Sequence, residues 1–166
     1  MRFLLIDQIT AVEPGVRLTA VKNLTLGEEY LADHFPTFPV MPGVLMLEAL
    51  VQAGAWLVRV SDDFAHSVIV AREVKGVKYG SFMEPGNQMR VTVEPVGSYN
   101  KETPMVALKG SGEQGGTTVV SARFTLERYR LQDRRPDRQA DLATVDDRLT
   151  GHYRLLYQQL RPRAAE

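Results

Sequence analysis

Three patterns in the chain predict an α+β fold with one long central helix wrapped by an antiparallel β-sheet. Residues 42–60 form an apolar run broken only by Glu48, Gln52 and Arg59. Residues 89–94 and 118–127 alternate along the chain with the period of two expected of half-buried strands. Residues 145–160 carry Val145, Leu149, His152, Tyr153, Leu156 and Leu160 at helical spacing, which adds a C-terminal amphipathic helix. Strands joined by short turns pair antiparallel, and a helix laid on their apolar face buries both surfaces.

The elements follow in order. Residues 1–12 are an apolar opening closed by Glu13-Pro14-Gly15, where proline fixes φ and glycine permits a positive one. Residues 17–24 read as a strand, and 27–40 as a loop stiffened by Pro36 and Pro39. The helix starts at Pro42 or Gly43, because a proline in the first turn loses no hydrogen bond. Residues 67–71 and 74–79 are strand-like and lead to the turn Glu84-Pro85-Gly86-Asn87. Met89, Val91 and Val93 then face one side, residues 104–110 form another strand, and Gly115-Gly116 turns the chain into the longest one. A charged linker, 131–141, precedes the last helix, for which Thr144 is the expected N-cap. The division is thus 1–130 as the folded domain and 131–166 as linker and helical extension.

Bulk properties exclude several classes. Twenty basic and twenty acidic side chains cancel, so no global charge points to nucleic acid. Cysteine is absent, which removes disulfides, thiolate metal sites and a thiol nucleophile. His66 and His152 lack ligand-like spacing, so no metal is expected. The opening apolar run is short for a signal peptide and is interrupted by Asp7. Residues 42–60 carry polar groups that fit a buried helix better than a membrane span. A cytoplasmic protein is the expectation.

The chemistry concentrates at residues 34–52. Glu48 and Gln52 stand four apart and share a helix face. An ionised carboxylate is costly in such apolar surroundings, so its protonated form becomes accessible and suits a general acid; a core ion pair is the bland alternative. His34 lies on the proline-stiffened loop, and an imidazole accepts a proton at physiological pH. Gly43 opens the helix, where unpaired N–H groups favour negative charge and stabilise an enolate oxygen. These are the parts needed to remove a proton beside a carbonyl and expel a hydroxyl as water.

The run His34-Phe35-Pro36-x-x-Pro39-x-Met41-Pro42-Gly43-Val44-Leu45-x-x-Glu48-Ala49-x-x-Gln52-Ala53 closely resembles the signature of the 3-hydroxyacyl-acyl carrier protein dehydratases of type II fatty-acid synthesis. Weaker similarity extends over about residues 3 to 127, including Pro85-Gly86-Asn87-Gln88. The resemblance implies a hotdog fold, homodimers that can assemble as trimers of dimers, and active sites at the dimer interface. It implies that His34 of one subunit takes the C2 proton while Glu48 of the other protonates the departing 3-hydroxyl. The Gly43 N–H would hold the thioester oxygen, with Gln52 in support. His34 and Glu48 are the expected catalytic pair, and Gly43, Gln52, Phe35, Met41, Val44 and Phe82 the expected substrate-binding residues. The implied substrate is tethered to the phosphopantetheine of acyl carrier protein, with no cofactor. Glutamate on the helix resembles the branch that dehydrates without isomerising.

Two positions depart from the family pattern. Asp33 and Thr37 stand where glycines usually flank His-Phe-Pro, so a reshaped loop is expected. This keeps two further readings open: a non-catalytic acyl-binding or assembly subunit, and a hotdog thioesterase in which the helix carboxylate activates water. Lys75, Lys78, Lys101, Arg128, Arg130, Arg134, Arg135 and Arg138 offer a basic face for an acidic carrier protein or simply a solvated surface. Tyr79, Phe82 and Met83 read either as an acyl tunnel or as plain core, and Trp56 reads as core.

Overall fold

Glu13-Pro14-Gly15 does turn the chain: Gly15 adopts φ +73° and the Val16 N–H donates to the Glu13 carbonyl at 3.0 Å. It joins β1 (Gln8–Glu13) to β2 (Arg17–Asn23) in a computed structural model that describes residues 4–161. The chain continues through α1 (Gly43–Ser61), β3 (Val68–Tyr79), β4 (Gln88–Pro95), β5 (Met105–Gln114), β6 (Thr117–Tyr129), α2 (Leu131–Arg134) and α3 (Gln139–Leu160). The six strands form one sheet in the order β1-β2-β4-β5-β6-β3, with every neighbouring pair antiparallel. Between β2 and β3 the chain crosses from one side of the sheet to the other and carries α1 with it. The result is the hotdog arrangement, a helix held in a curled sheet.

The alternation holds throughout β4, whereas in β6 it holds only in the middle: Thr118 is exposed on the expected inward set, and Val119 and Glu127 of the opposite set are buried. Met89, Val91 and Val93 of β4 and Val120, Ala122, Phe124 and Leu126 of β6 are all buried. They meet Leu50, Ala53 and Leu57 of α1, each fully buried. Burying a side chain of this size contributes about 1.5–3 kcal/mol. Gly54 sets the closeness of helix and sheet, since a Cβ there would lie 2.7 Å from Leu108 Cδ1 and 2.8 Å from Phe124 Cε2. By length and composition α1 matches a membrane-crossing helix. Its burial inside the sheet identifies it as the core helix.

Three expectations are corrected. The two runs 67–71 and 74–79 are one strand, β3, whose pairing with β6 shifts register between Ala71 and Glu73 and between Lys75 and Lys78. β3 lies at a sheet edge and is largely exposed, so burial does not impose one clean alternation on it. The expected linker is mostly helical: α2, a 3-10 turn at Pro136–Arg138 and the first turn of α3. Thr144 lies inside α3, which begins at Gln139. The cause is non-local. Asp146, fully buried, accepts from the N–H groups of Leu131 at 2.9 Å and Gln132 at 3.1 Å and from the Ser67 hydroxyl. A carboxylate one helix away thus caps the start of α2.

α3 docks on the half of α1 that the sheet leaves open. Trp56 stacks on Tyr157 at 6.1 Å and meets Tyr153 edge-on at 5.9 Å, while Arg154 pairs with Asp63 at 3.0 Å.

Candidate active site

The His34 loop is held by its own backbone. The His34 N–H donates to the Tyr30 carbonyl at 3.1 Å and the Phe38 N–H to the Phe35 carbonyl at 2.8 Å. His34 Nδ1 lies 2.9 Å from the Val40 carbonyl oxygen. A carbonyl only accepts, so Nδ1 carries the hydrogen and the neutral ring keeps its lone pair on Nε2. Phe35 adopts φ +57°, a left-handed conformation that L side chains resist by about 1–2 kcal/mol. Its ring meets the imidazole edge-on at 4.5 Å. Asp33 and Thr37 keep negative φ, so the two missing glycines do not strain the loop there; Phe35 between them carries the unusual turn.

Pro42 occupies the N-cap of α1 rather than the first helical position, with φ −55° and ψ 134°. Its carbonyl accepts from Leu45 at 2.9 Å and Met46 at 3.1 Å, and Gly43 is the first helical residue. N–H groups of a first turn have no intrahelical partner, so this end is electropositive. The Met41 N–H donates to the Met83 carbonyl at 2.8 Å, which fastens the helix start to the segment before β4. A Cβ on Gly43 would stand 2.9 Å from Tyr79 Cε1. His34, Phe35, Met41, Gly43, Tyr79 and Phe82 line one cleft of about 650 Å³. Met83 beside it is fully buried and belongs to the core.

Glu48 lies elsewhere. It is half-buried on α1, where Gln52 Nε2 donates to its Oε1 at 3.0 Å, while Gln52 Oε1 accepts from the Leu5 N–H at 2.9 Å. Glu48 and Gln52 line a second cavity of about 290 Å³, walled by Trp56 and Arg59 of α1 and by Tyr153 and Leu156 of α3. Within one chain, then, the imidazole and the carboxylate do not share a cavity. Val44 lines neither and is 69% exposed.

Arg59 and Tyr153 line the Glu48 cavity in addition to the residues expected from the sequence. The signal was available, because positions 48, 52, 55 and 59 share one helix face and Arg59 interrupts an apolar run. The basic face is largely dismantled. Arg128 is buried, donating to Asp62, the Tyr99 hydroxyl and the carbonyls of Asn100 and Thr103. Arg130 pairs with Asp147, Arg134 with Glu127, Arg135 with Asp137 and Arg138 with Asp141. Lys75 and Lys78 join Lys109 and Arg123 around a concavity on the sheet. Among the described residues, no group of three or more histidine, aspartate or glutamate side chains gathers to hold a metal.

Residues 1–123 match the family described as the FabA-like domain. The 3-hydroxyacyl-[acyl-carrier-protein] dehydratase FabZ of Anaeromyxobacter sp. (strain Fw109-5) is 40% identical over 126 residues, covering 74% of this chain and 78% of the relative. FabZ of Clostridium kluyveri is 34% identical over 126 residues, covering 75% and 81%. Solved structures share the fold at low identity. The dehydratase heterocomplex ApeI:P from Xenorhabdus doucetiae superposes with a TM-score of 0.60 at 14% identity, over 75% of this chain and 82% of that one. The smu.793 protein of Streptococcus mutans, solved with acetyl CoA, gives 0.57 at 14% identity, over 77% and 92%. With a family match across most of its length and relatives of this similarity covered to about four fifths, the chain belongs to the FabA-like family.

Proposed function

We propose that this protein dehydrates (3R)-hydroxyacyl-acyl carrier protein to the trans-2-enoyl thioester in fatty-acid or related lipid biosynthesis. The observation that carries this reading is the pinned imidazole of His34 sharing a cleft with the N-terminal glycine of α1. An acyl thioester bound there sets its carbonyl oxygen against the Gly43 N–H, which stabilises the enolate as the C2 proton leaves. Nε2 of His34 takes that proton. Glu48 gives a proton to the 3-hydroxyl, which departs as water, and Gln52 orients Glu48. Phe35, Met41 and Phe82 supply apolar contact along the acyl chain.

Glu48 serves the His34 of a second copy in this reading. Two facts support a homodimer: the separate cavities of His34 and Glu48, and the unpaired edge of β3, where Val70 and Val74 are more than a third exposed. A trimer of dimers is a further level of the same assembly. The carrier protein presents the substrate on its phosphopantetheine, and the elimination uses only protein groups, without a cofactor. A carrier-borne substrate and a cysteine-free chain fit a cytoplasmic address.

The reverse reaction supplies the test. Hydration of a crotonyl thioester by the wild type, reduced about 10²–10⁴-fold in His34→Ala and Glu48→Gln, is the expected result. Unchanged rates in both variants, or release of free thiol in place of hydration, would overturn it.

A further inference from the structure

Among the described residues, a buried cation without a carboxylate beside it lines the Glu48 cavity. Arg59 follows Glu48 by eleven residues, which returns it to the same face of α1 about 16 Å further along the axis. It is only 7% exposed and lines the cavity together with Glu48 and Gln52. Its Nε is buried without a hydrogen-bond partner, and no carboxylate pairs with it among the described residues. Burial brings its pKa down to about 10, against the opposing pull of Tyr153, so the group remains a cation at neutral pH.

The guanidinium is also fixed in orientation. It lies 3.8 Å from the centroid of the Tyr153 ring and 5.3 Å from that of Trp56. Aromatic faces hold the flat side of a guanidinium and leave its N–H edge free to meet an anion in the plane. A carboxylate is the group whose two oxygens match that edge. Tyr153 and Leu156 belong to α3, beyond the family match that ends at residue 123, so this wall is built by the chain's own extension. A hydrocarbon terminus at this position would leave the buried cation unanswered, which disfavours it.

We infer that Arg59, oriented by Tyr153, forms an anion subsite at the floor of the Glu48 cavity that receives a carboxylate at the distal end of the acyl chain, making ω-carboxyacyl thioesters the preferred substrates. This deepens the dehydratase reading and rests on it for the acyl chain that fills the cavity.

Thioesters of matched length, ending in carboxylate or methyl, test the subsite on the full-length protein. Saturated acyl-pantetheines are titrated by calorimetry and the corresponding enoyl thioesters are assayed for hydration, over a ladder of lengths. At the best length the carboxylate series should bind about ten- to hundredfold tighter in the wild type, the range of a charge-assisted hydrogen bond. Arg59→Met should abolish that preference, and Arg59→Lys should keep part of it with α3 still docked, as read by Trp56 fluorescence. A wild type that favours methyl-ended chains at every length, or an unchanged ratio in Arg59→Met, overturns the subsite and leaves Arg59 as a fastener of α3. Hydration without end-group discrimination removes the subsite alone. Discriminating, Arg59-dependent binding without hydration removes the dehydratase reading alone.

Discussion

The Nδ1–H of His34 donates to the Val40 carbonyl at 2.9 Å, across a loop that contains two prolines. This bond selects the tautomer whose lone pair lies on Nε2, the form that the proposed proton abstraction requires. His34→Asn should leave the melting temperature near the wild-type value, because the ring is only half-buried, and lower kcat for thioester hydration by about 10²–10⁴-fold. Steady-state kinetics beside a thermal melt decide it. A variant that melts early and recovers full activity at low temperature would mark the ring as structural.

Gln52 connects two otherwise distant parts, donating to Glu48 at 3.0 Å and accepting from the Leu5 N–H at 2.9 Å. Leu5 is 1% exposed, so its amide has no route to water. Gln52→Leu should cost about 1–3 kcal/mol in urea unfolding, the penalty for a stranded buried donor. Activity should fall less than in Glu48→Gln, because the acid itself remains. Gln52→Glu keeps an acceptor for Leu5 but sets a second carboxylate against Glu48, so it should recover stability only in part. Equal stability of all three proteins would show that the connection contributes nothing.

Gly43 and Tyr79 compete for one space. A methyl group on Gly43 would stand 2.9 Å from the Tyr79 ring, which is 52% exposed and able to swing outward. Gly43→Ala should therefore change stability by less than about 1 kcal/mol. The methyl group nevertheless intrudes on the cleft beside His34, so KM should rise. Tyr79→Ala should offset that rise, with a coupling of about 0.5–3 kcal/mol in the double-mutant cycle on kcat/KM. Additive effects would separate the two residues.

How far this molecule is legible from its sequence depends on whether each feature is local. Met89, Val91 and Val93 announce β4 because a half-buried strand must alternate, and all three are fully buried. The apolar run of α1 is equally plain, and so is the close spacing of His34, Gly43 and Glu48 around its start. β3 looks like two pieces in the sequence because its exposed edge imposes little pattern. The segment 131–141 looks like a linker in the sequence because its cap, Asp146, arrives from another helix and leaves no mark on neighbouring residues. The lost loop glycines invited an expectation of distortion at Asp33 and Thr37, whereas positive φ falls on Phe35, which composition alone could not reveal. That His34 and Glu48 line separate cavities within one chain is a matter of three-dimensional placement, which no local pattern carries.

Stability should fall in two stages as the pH is lowered. Burial, with the Arg128 cation, outweighs the pull of the Asp62 carboxylate 3.3 Å away and holds His66 below the ordinary histidine value. As pH falls through that ordinary value the unfolded chain takes up the proton first, so stability declines until the lower folded-state value is passed. Asp146 behaves as a depressed carboxylate. Its burial opposes ionisation, but the Ser67 hydroxyl, the two α2 amides and Arg130 prevail and hold it below the usual carboxylate range. Its contribution is present at neutral pH and is lost once acid passes below that range, again because the unfolded chain binds the proton first. His66→Gln should flatten the upper step in a plot of urea midpoint against pH. Asp146→Asn should flatten the lower one and reduce stability at neutral pH by on the order of 3 kcal/mol, as charge-assisted bonds to α2 and Ser67 weaken. A wild-type pH profile in both variants would assign the acid sensitivity to other groups.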